Sequence, residues 1–405
     1  MGYTPEGLDQ NPAYYELLQE AAFKAGPEPN VTEWLVRRAH RRYGLLGGGG
    51  QRDPHVTAAW GKLAASGYTI DKGTSTQNGV GHMDVFSKLY PKNLDVNTPG
   101  SFEGCTSADN FQGCAPSAAL CLEWDSWGAL NAAAPAVAAA AAKAGLPETP
   151  ETFSYDVVNT GREILAQLST PLLLNFTLSF NGTLTPAAEP AIRESGARFV
   201  ELLGDLDSLL ATDTAFMLGP WLASARKLGG AASDCVADNV PVAGGIGKCA
   251  NFMEWNAKAQ LTTWCVTWAQ LAVNCTKVSA CLPLTHFNII HLPCCHIPAR
   301  YPVLGSAAAP RVQQGGRDHD YARKHWSGLI KDVDIPRARL YQAQALRDAA
   351  AGLAFNLTAA AAGYARQSYE WQTDLGNRYP TEPVGDVVRV SRALRQKYAR
   401  YFSSC

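Results

Sequence analysis

The period of the apolar residues constrains this chain most. Over residues 155–174, Val158, Ile164, Leu165, Leu168 and Leu172 fall on one side of a 3.6-residue helix, and over 188–211 Ile192, Phe199, Leu202, Leu203, Leu206 and Leu210 do the same. Patterns this long predict core helices, because a half-buried strand would alternate at every second residue. Shorter helical patterns recur at 11–26, 32–44, 56–66, 220–227, 252–264, 321–331, 337–364 and 387–402, and alternating patterns are scarce. Thr32 is expected to cap the second of these. An alanine-rich spacer near 132–142 precedes the long helices, and the polar, Gly-rich stretch 72–114 reads as surface loop. The expected fold class is mainly α, with two irregular insertions at about 229–248 and 265–318, where Gly, Pro, Cys and Val mix without period.

Thirty-five basic against thirty-six acidic side chains give a net charge of -1, so no basic field exists to hold nucleic acid or an anionic membrane. No stretch approaches the roughly 20 uninterrupted apolar residues of a membrane span. The opening residues lack the basic and then apolar run of a secretory signal, yet five Asn-x-Ser/Thr sequons (Asn30, Asn175, Asn181, Asn274, Asn356) point to a secretory or lysosomal route. The expectation is that the natural protein begins further upstream, and that its full-length form is lysosomal, vacuolar or secreted.

Eleven cysteines are an odd number, so at least one cannot pair within the chain. Cys105, Cys114 and Cys121 are spaced for a local disulfide in an oxidising compartment. His286, His291, Cys294, Cys295 and His296 invite a zinc reading, but the spacing is not that of a zinc motif and adjacent cysteines chelate one ion poorly. No metal and no cofactor are assigned.

Several short blocks carry a resemblance. Gly2-Tyr3-Thr4-Pro5-Glu6-Gly7 with Gln10-Asn11, Arg41-Arg42-Tyr43-Gly44 and Ala59-Trp60 come first. Phe216-Met217-Leu218-Gly219-Pro220-Trp221-Leu222 follows, then Asn256 with Gln260-Leu261-Thr262 and Trp264. The series closes with Asp320-Tyr321-Ala322, Lys324, Trp326-Ser327-Gly328-Leu329, Pro336-Arg337 and Arg378-Tyr379-Pro380. In this order they resemble the α-N-acetylglucosaminidase family, glycoside hydrolase family 89. Each block is weak alone, and their collinearity makes the resemblance specific.

The resemblance implies a remnant of a (β/α)8 barrel at 1–27 and an all-helical C-terminal domain at 28–405. It implies that Glu6 is the catalytic nucleophile of a retaining glycosidase that removes terminal α-linked N-acetylglucosamine from glycans. Pro5 stiffens the approach to that carboxylate and Gly7 lets the backbone turn sharply behind it. Trp264 is the implied pocket aromatic, stacking on a pyranose face. His82, nine residues before Pro91, stands where the family's pocket histidine precedes a proline and would hydrogen-bond sugar hydroxyls or the acetamido group. No cofactor is implied, the partner is a glycan, and homo-oligomerisation is left open.

A retaining glycosidase needs a second carboxyl about 5.5 Å from the first. No residue of this chain matches the family's acid/base glutamate, and Glu103, Asp109, Glu123 and Asp125 carry no family motif. Losing a general acid removes a factor of about 100 to 10,000 in rate, so the chain alone is expected to be nearly or wholly inactive. Two departures stand out: Lys258 replaces the motif's arginine, and 265–318 is inserted after Trp264, either altering the pocket wall or, the favoured reading, carrying untranslated sequence into the chain. The alternatives are a non-catalytic helical carbohydrate-binding or scaffold module, and an α-solenoid, for which no fixed repeat period is found.

Overall fold

The computed structural model describes residues 12–24, 26, 29–45, 52–68, 102–103, 115–230, 249–262 and 325–405. Three short helices open it: α1 (Pro12–Phe23), α2 (Val31–Arg42) and α3 (Pro54–Ala64). Asn30, not Thr32, caps α2, since its Oδ1 accepts the Glu33 N–H at 3.0 Å. An amide oxygen one residue before the helix reaches the free N–H groups of the first turn, whereas Thr32 already lies inside that turn. Asp53 caps α3 in the same way.

The alanine-rich stretch is not a spacer. It forms the second half of α4 (Ala118–Lys143), where Ala133, Val137 and Ala141 are buried against the bundle. Alanine has the highest helix propensity and its small side chain permits close approach, so a run that looks featureless in sequence becomes a packing surface. The stretch read as surface loop contributes Phe102–Glu103, which pairs antiparallel with Ala115–Pro116. The rest of that stretch lies outside the described residues.

The two long periodic segments form α5 (Glu151–Leu178) and α6 (Glu189–Leu210), which pack side by side. Val158, Ile164, Leu165, Leu168, Ile192, Phe199, Leu202, Leu203, Leu206 and Leu210 are all fully buried. The period thus located the core. Beyond them come α7 (Leu218–Gly230) and α8 (Cys249–Thr262). Of the helix expected over 321–331, residues 321–324 lie outside the described residues; Ser327 is extended and bridges to Met217, and the described part turns helical only from Leu329, through one wide turn at Ile330–Asp334.

The expected single helix over 337–364 is two, α9 (Ile335–Ala351) and α10 (Leu357–Thr373). Gly352 adopts φ 68°, a left-handed C-cap that reverses the chain at low steric cost, and Asn356 caps the next helix. The chain closes with α11 (Val387–Tyr398) and a 3₁₀ turn Ala399–Phe402.

Cys121 pairs with Cys405 rather than with Cys105 or Cys114, which lie outside the described residues. Phe402 stacks on Trp124 of α4 at 4.0 Å between centroids, which carries the last residues back to the start of α4 and brings the two cysteine Cα atoms to 5.2 Å. That lies within disulfide reach. Spacing along the chain could not anticipate it, because the partners stand 284 residues apart. Among the described residues no helix is long and apolar enough to cross a membrane.

Candidate functional site

The later family-like blocks gather on one structure beside the bundle. Leu218 begins α7, and the residues before it meet the strand-like Trp326–Gly328 segment: the Leu218 N–H donates to the Ser327 carbonyl at 3.1 Å and the Ser327 N–H to the Phe216 carbonyl at 2.8 Å. Blocks more than a hundred residues apart are therefore tied by backbone hydrogen bonds. Trp221 stacks on Trp326, and Leu218, Leu222, Ala257, Leu261, Trp326, Leu329, Val333 and Trp371 form an apolar cluster separate from the main core. A Cβ on Gly219 would run into the backbone carbonyl of Pro380, so only glycine lets the Arg378-Tyr379-Pro380 block cross there.

A charged latch fastens this wall. Glu254 of α8 is fully buried and accepts the N–H groups of Gly376 at 2.9 Å and Asn377 at 3.1 Å, Arg226 at 2.6 Å, and Lys258 at 3.2 Å. Burial alone would raise the Glu254 pKa, but these donors outweigh it and hold the carboxyl below its ordinary range. Lys258 lies one helical turn on, donates to the carbonyls of Asp374 and Trp371, and sits 5.0 Å from the Trp371 ring centroid. Burial pushes the Lys258 pKa down, and Glu254 only partly restores it. The lysine that departs from the family-like pattern is thus used as a compact ammonium, reaching two carbonyls from one atom.

The latch orders two further points. Asn377 holds φ 40° and donates its Nδ2 to the Gly219 carbonyl at 2.9 Å. Gln372 of α10 donates to the Thr262 hydroxyl at 2.6 Å, so the last residue of α8 is pinned from across the wall.

The earlier blocks meet elsewhere. Arg42 and Tyr43 both bind Asp156 of α5, the tyrosine hydroxyl donating at 2.8 Å, and the Trp60 indole N–H donates to that hydroxyl at 3.0 Å. Burial raises the Asp156 pKa, with Arg42 and Tyr43 opposing the rise. Arg38 grips Glu16 with two hydrogen bonds of 2.7 and 2.6 Å, and the Trp34 indole donates to Glu20 at 2.5 Å, so α1 is fastened to α2 by charge in addition to the packing of Ala13 and Leu17 on the main core. On α1 only Ala13 is buried, while Tyr14 and Phe23 are 64% and 91% exposed.

Glu6, His82 and Trp264 all lie outside the described residues. In sequence, Trp264 follows the pinned Thr262 by two positions, and Glu6 precedes the start of α1 by six. The histidines and cysteines weighed for zinc also lie outside, and among the described residues no cluster of His, Cys, Asp or Glu could hold a metal. Sequence reading missed Glu254 and Asp156. For Glu254 a signal existed, since Glu and Lys four residues apart on a helix form a favoured pair. For Asp156 none did, because its partners come from α2.

A family model described as the α-N-acetylglucosaminidase (NAGLU) C-terminal domain matches residues 34–274 and 312–397. The chain belongs to that family. Human α-N-acetylglucosaminidase is 25% identical over 407 aligned residues, which take in 98% of this chain and 39% of the human protein. A family 89 glycoside hydrolase from Clostridium perfringens, solved in complex with its substrate GlcNAc-α-1,4-galactose, shares the fold at a TM-score of 0.60 and 16% identity, over 98% of this chain and 35% of that one. The same bacterial enzyme in complex with PUGNAc matches at a TM-score of 0.59 over 96% and 34%. The chain therefore spans well under half the length of these glycosidase relatives.

Proposed function

We propose that this chain is the carboxy-terminal part of a retaining glycoside hydrolase that removes terminal α-linked N-acetylglucosamine from glycans. Glu6 is its nucleophile, Trp264 and His82 contact the sugar, residues 1–27 close a catalytic barrel and 28–405 form the helical domain beside it. The observation that carries the reading is the fastening of α1 to the family domain through the Arg38–Glu16 pair, with Tyr14 and Phe23 of α1 left exposed. In sequence that helix begins six residues after Glu6, so the bond would tie the nucleophile segment to the helical domain. Uncovered Tyr14 and Phe23 suit burial against a barrel.

In the proposed reaction the Glu6 carboxylate attacks the anomeric carbon, a glycosyl-enzyme forms, and water displaces it with net retention. The acid that protonates the leaving oxygen has no counterpart among the residues of this chain, so the chain alone is expected to be nearly or wholly inactive. The pinned end of α8 would hold Trp264 at the edge of the sugar pocket. A lysosomal, vacuolar or secreted location is supported by the Cys121–Cys405 disulfide, which needs an oxidising compartment.

The test is hydrolysis of an aryl α-N-acetylglucosaminide by the chain mixed with a family 89 barrel segment carrying the acid glutamate. The proposal expects turnover in the mixture, little in either piece, and its loss on Glu6→Gln. A mixture whose activity is indifferent to Glu6→Gln would favour a non-catalytic carbohydrate-binding or scaffold module.

A further inference from the structure

Two of the sequons stand together on one edge of the bundle. Asn181-Gly182-Thr183 follows α5 in a turn, with all three residues exposed, and Asn356-Leu357-Thr358 opens α10 with all three exposed. They are neighbours in space, because Thr183 bridges antiparallel to Ala354 and the Leu184 N–H donates to the Leu353 carbonyl at 3.1 Å. The same edge exposes two large apolar side chains, Leu353 at 56% and Leu357 at 41%.

We propose that Asn181 and Asn356 both carry N-linked oligosaccharides, and that these glycans cover Leu353 and Leu357. The reaction joins the side-chain Nδ2 to C1 of an oligosaccharide carried on a polyisoprenyl diphosphate. The C1–O bond to the diphosphate breaks, the lipid diphosphate leaves, and one amide proton is released. Both sites accommodate the product. The Asn356 Oδ1 accepts the Ala359 N–H at 2.9 Å as a helix cap, and an N-glycosylated asparagine keeps that oxygen, so cap and glycan are compatible. Asn181 sits in a turn that Gly182 closes at φ 77°, clear of helix packing on either side.

Asn175 makes the contrast. It lies inside α5, half-buried, and the buried Thr177 of its sequon turns its hydroxyl back to the Leu174 carbonyl at 3.0 Å. A sequon held in regular helix with its threonine buried cannot present the extended Asn-x-Thr that the transferase needs once the chain has folded, and no glycan is assigned there. Covering the leucine edge has a physical purpose: the glycan's hydroxyls face water while its core lies over side chains that would otherwise promote association.

The experiment expresses the full chain through a eukaryotic secretory pathway. The folded, secreted protein is treated with peptide:N-glycosidase in heavy-oxygen water, and peptides are read by mass spectrometry. Labelled aspartate is expected at 181 and 356 in most molecules, with unlabelled asparagine at 175. Unlabelled asparagine at either 181 or 356, or labelling at 175, overturns the assignment. For the covering role, protein deglycosylated after folding is compared with the Thr183→Ala/Thr358→Ala variant, which lacks both sequons and keeps the Asn356 cap. Both are expected to bind more of an apolar fluorescent dye than the glycosylated chain, and Leu353→Ser/Leu357→Ser is expected to abolish the gain. Unchanged dye binding after enzymatic deglycosylation sinks the covering role even if the variant fails to fold. Neither readout uses glycosidase activity, so the outcome is independent of the reaction proposed above.

Discussion

The α4–α6 bundle and the α7–α8 wall solve the same problem by different means. In the bundle, long helices bury rows of Leu, Ile and Phe, and stability comes from apolar area removed from water. In the wall, a small apolar cluster is closed by one buried carboxylate that gathers two backbone amides, an arginine and a lysine. The bundle is tolerant of detail and large in energy, whereas the wall is specific in geometry and depends on a few atoms. A surface meant to hold one loop in one place benefits from the second kind of contact, since hydrogen bonds have direction and apolar contacts do not.

The contrast predicts different failures, the largest in the wall. Glu254→Leu leaves the Lys258 ammonium buried without its carboxylate and should cost about 3–5 kcal/mol, seen as a separate low-temperature transition in calorimetry. Adding Lys258→Met should recover only part of the loss, because it removes the unpaired ammonium but leaves the Gly376 and Asn377 N–H groups and the Trp371 and Asp374 carbonyls without these partners. A single unshifted transition in Glu254→Leu would remove the distinction between the two regions. Leu206→Ala, at a fully buried bundle position, should cost about 2–5 kcal/mol and shift the main transition, leaving the wall's own behaviour unaltered.

Next in size is the Cys121–Cys405 bond. Cys121→Ser should lower the midpoint by the equivalent of about 2–4 kcal/mol, and reductant should reproduce the loss in the wild type but add nothing to the variant. Equal sensitivity of both proteins to reductant would place the stabilising disulfide elsewhere.

The smallest effects lie in pH dependence, where the two regions carry carboxylates of opposite character. Glu254 has a folded pKa held below the ordinary glutamate value of 4.5, so its contribution is present above that value and lost as pH falls through the lower folded one. Acid unfolding should therefore begin in the wall below about pH 4.5. Glu123 of α4 is the reverse: burial, with Glu163 nearby and a Gln167 hydrogen bond only partly opposing, pushes its pKa from 4.5 up to about 7. The folded state then binds the proton more tightly than the unfolded one, so stability falls as pH rises from 4.5 to 7. Glu123→Gln should match the wild type at pH 4 and exceed it at pH 8, the difference opening between pH 4.5 and 7. A constant difference across that range would refute the shift.

Much of this fold was legible in the chain. The stripes that became α5 and α6 needed no partner to be recognised, because periodicity is local. The helix break at Gly352 was also written there, in a residue suited to a left-handed cap, although the good helix formers on both sides masked it. The collinear blocks located the family and, with it, the residues that gather in the wall. What they could not give was the reason for each residue. Gly219 is required by a carbonyl that arrives from position 380, and Lys258 matters for carbonyls at 371 and 374.

The sequence by itself determined that the chain is helical, where its main core lies, and to which family it belongs, since these rest on local periodicity and on short motifs kept in order. Tertiary structure alone decided that Cys121 meets Cys405, that Asp156 joins Arg42, Tyr43 and Trp60, that Glu254 closes the wall, and that two sequons share an edge with exposed leucines. Each of those joins residues far apart along the chain, and the energy of such a contact depends on a distance that no local pattern encodes.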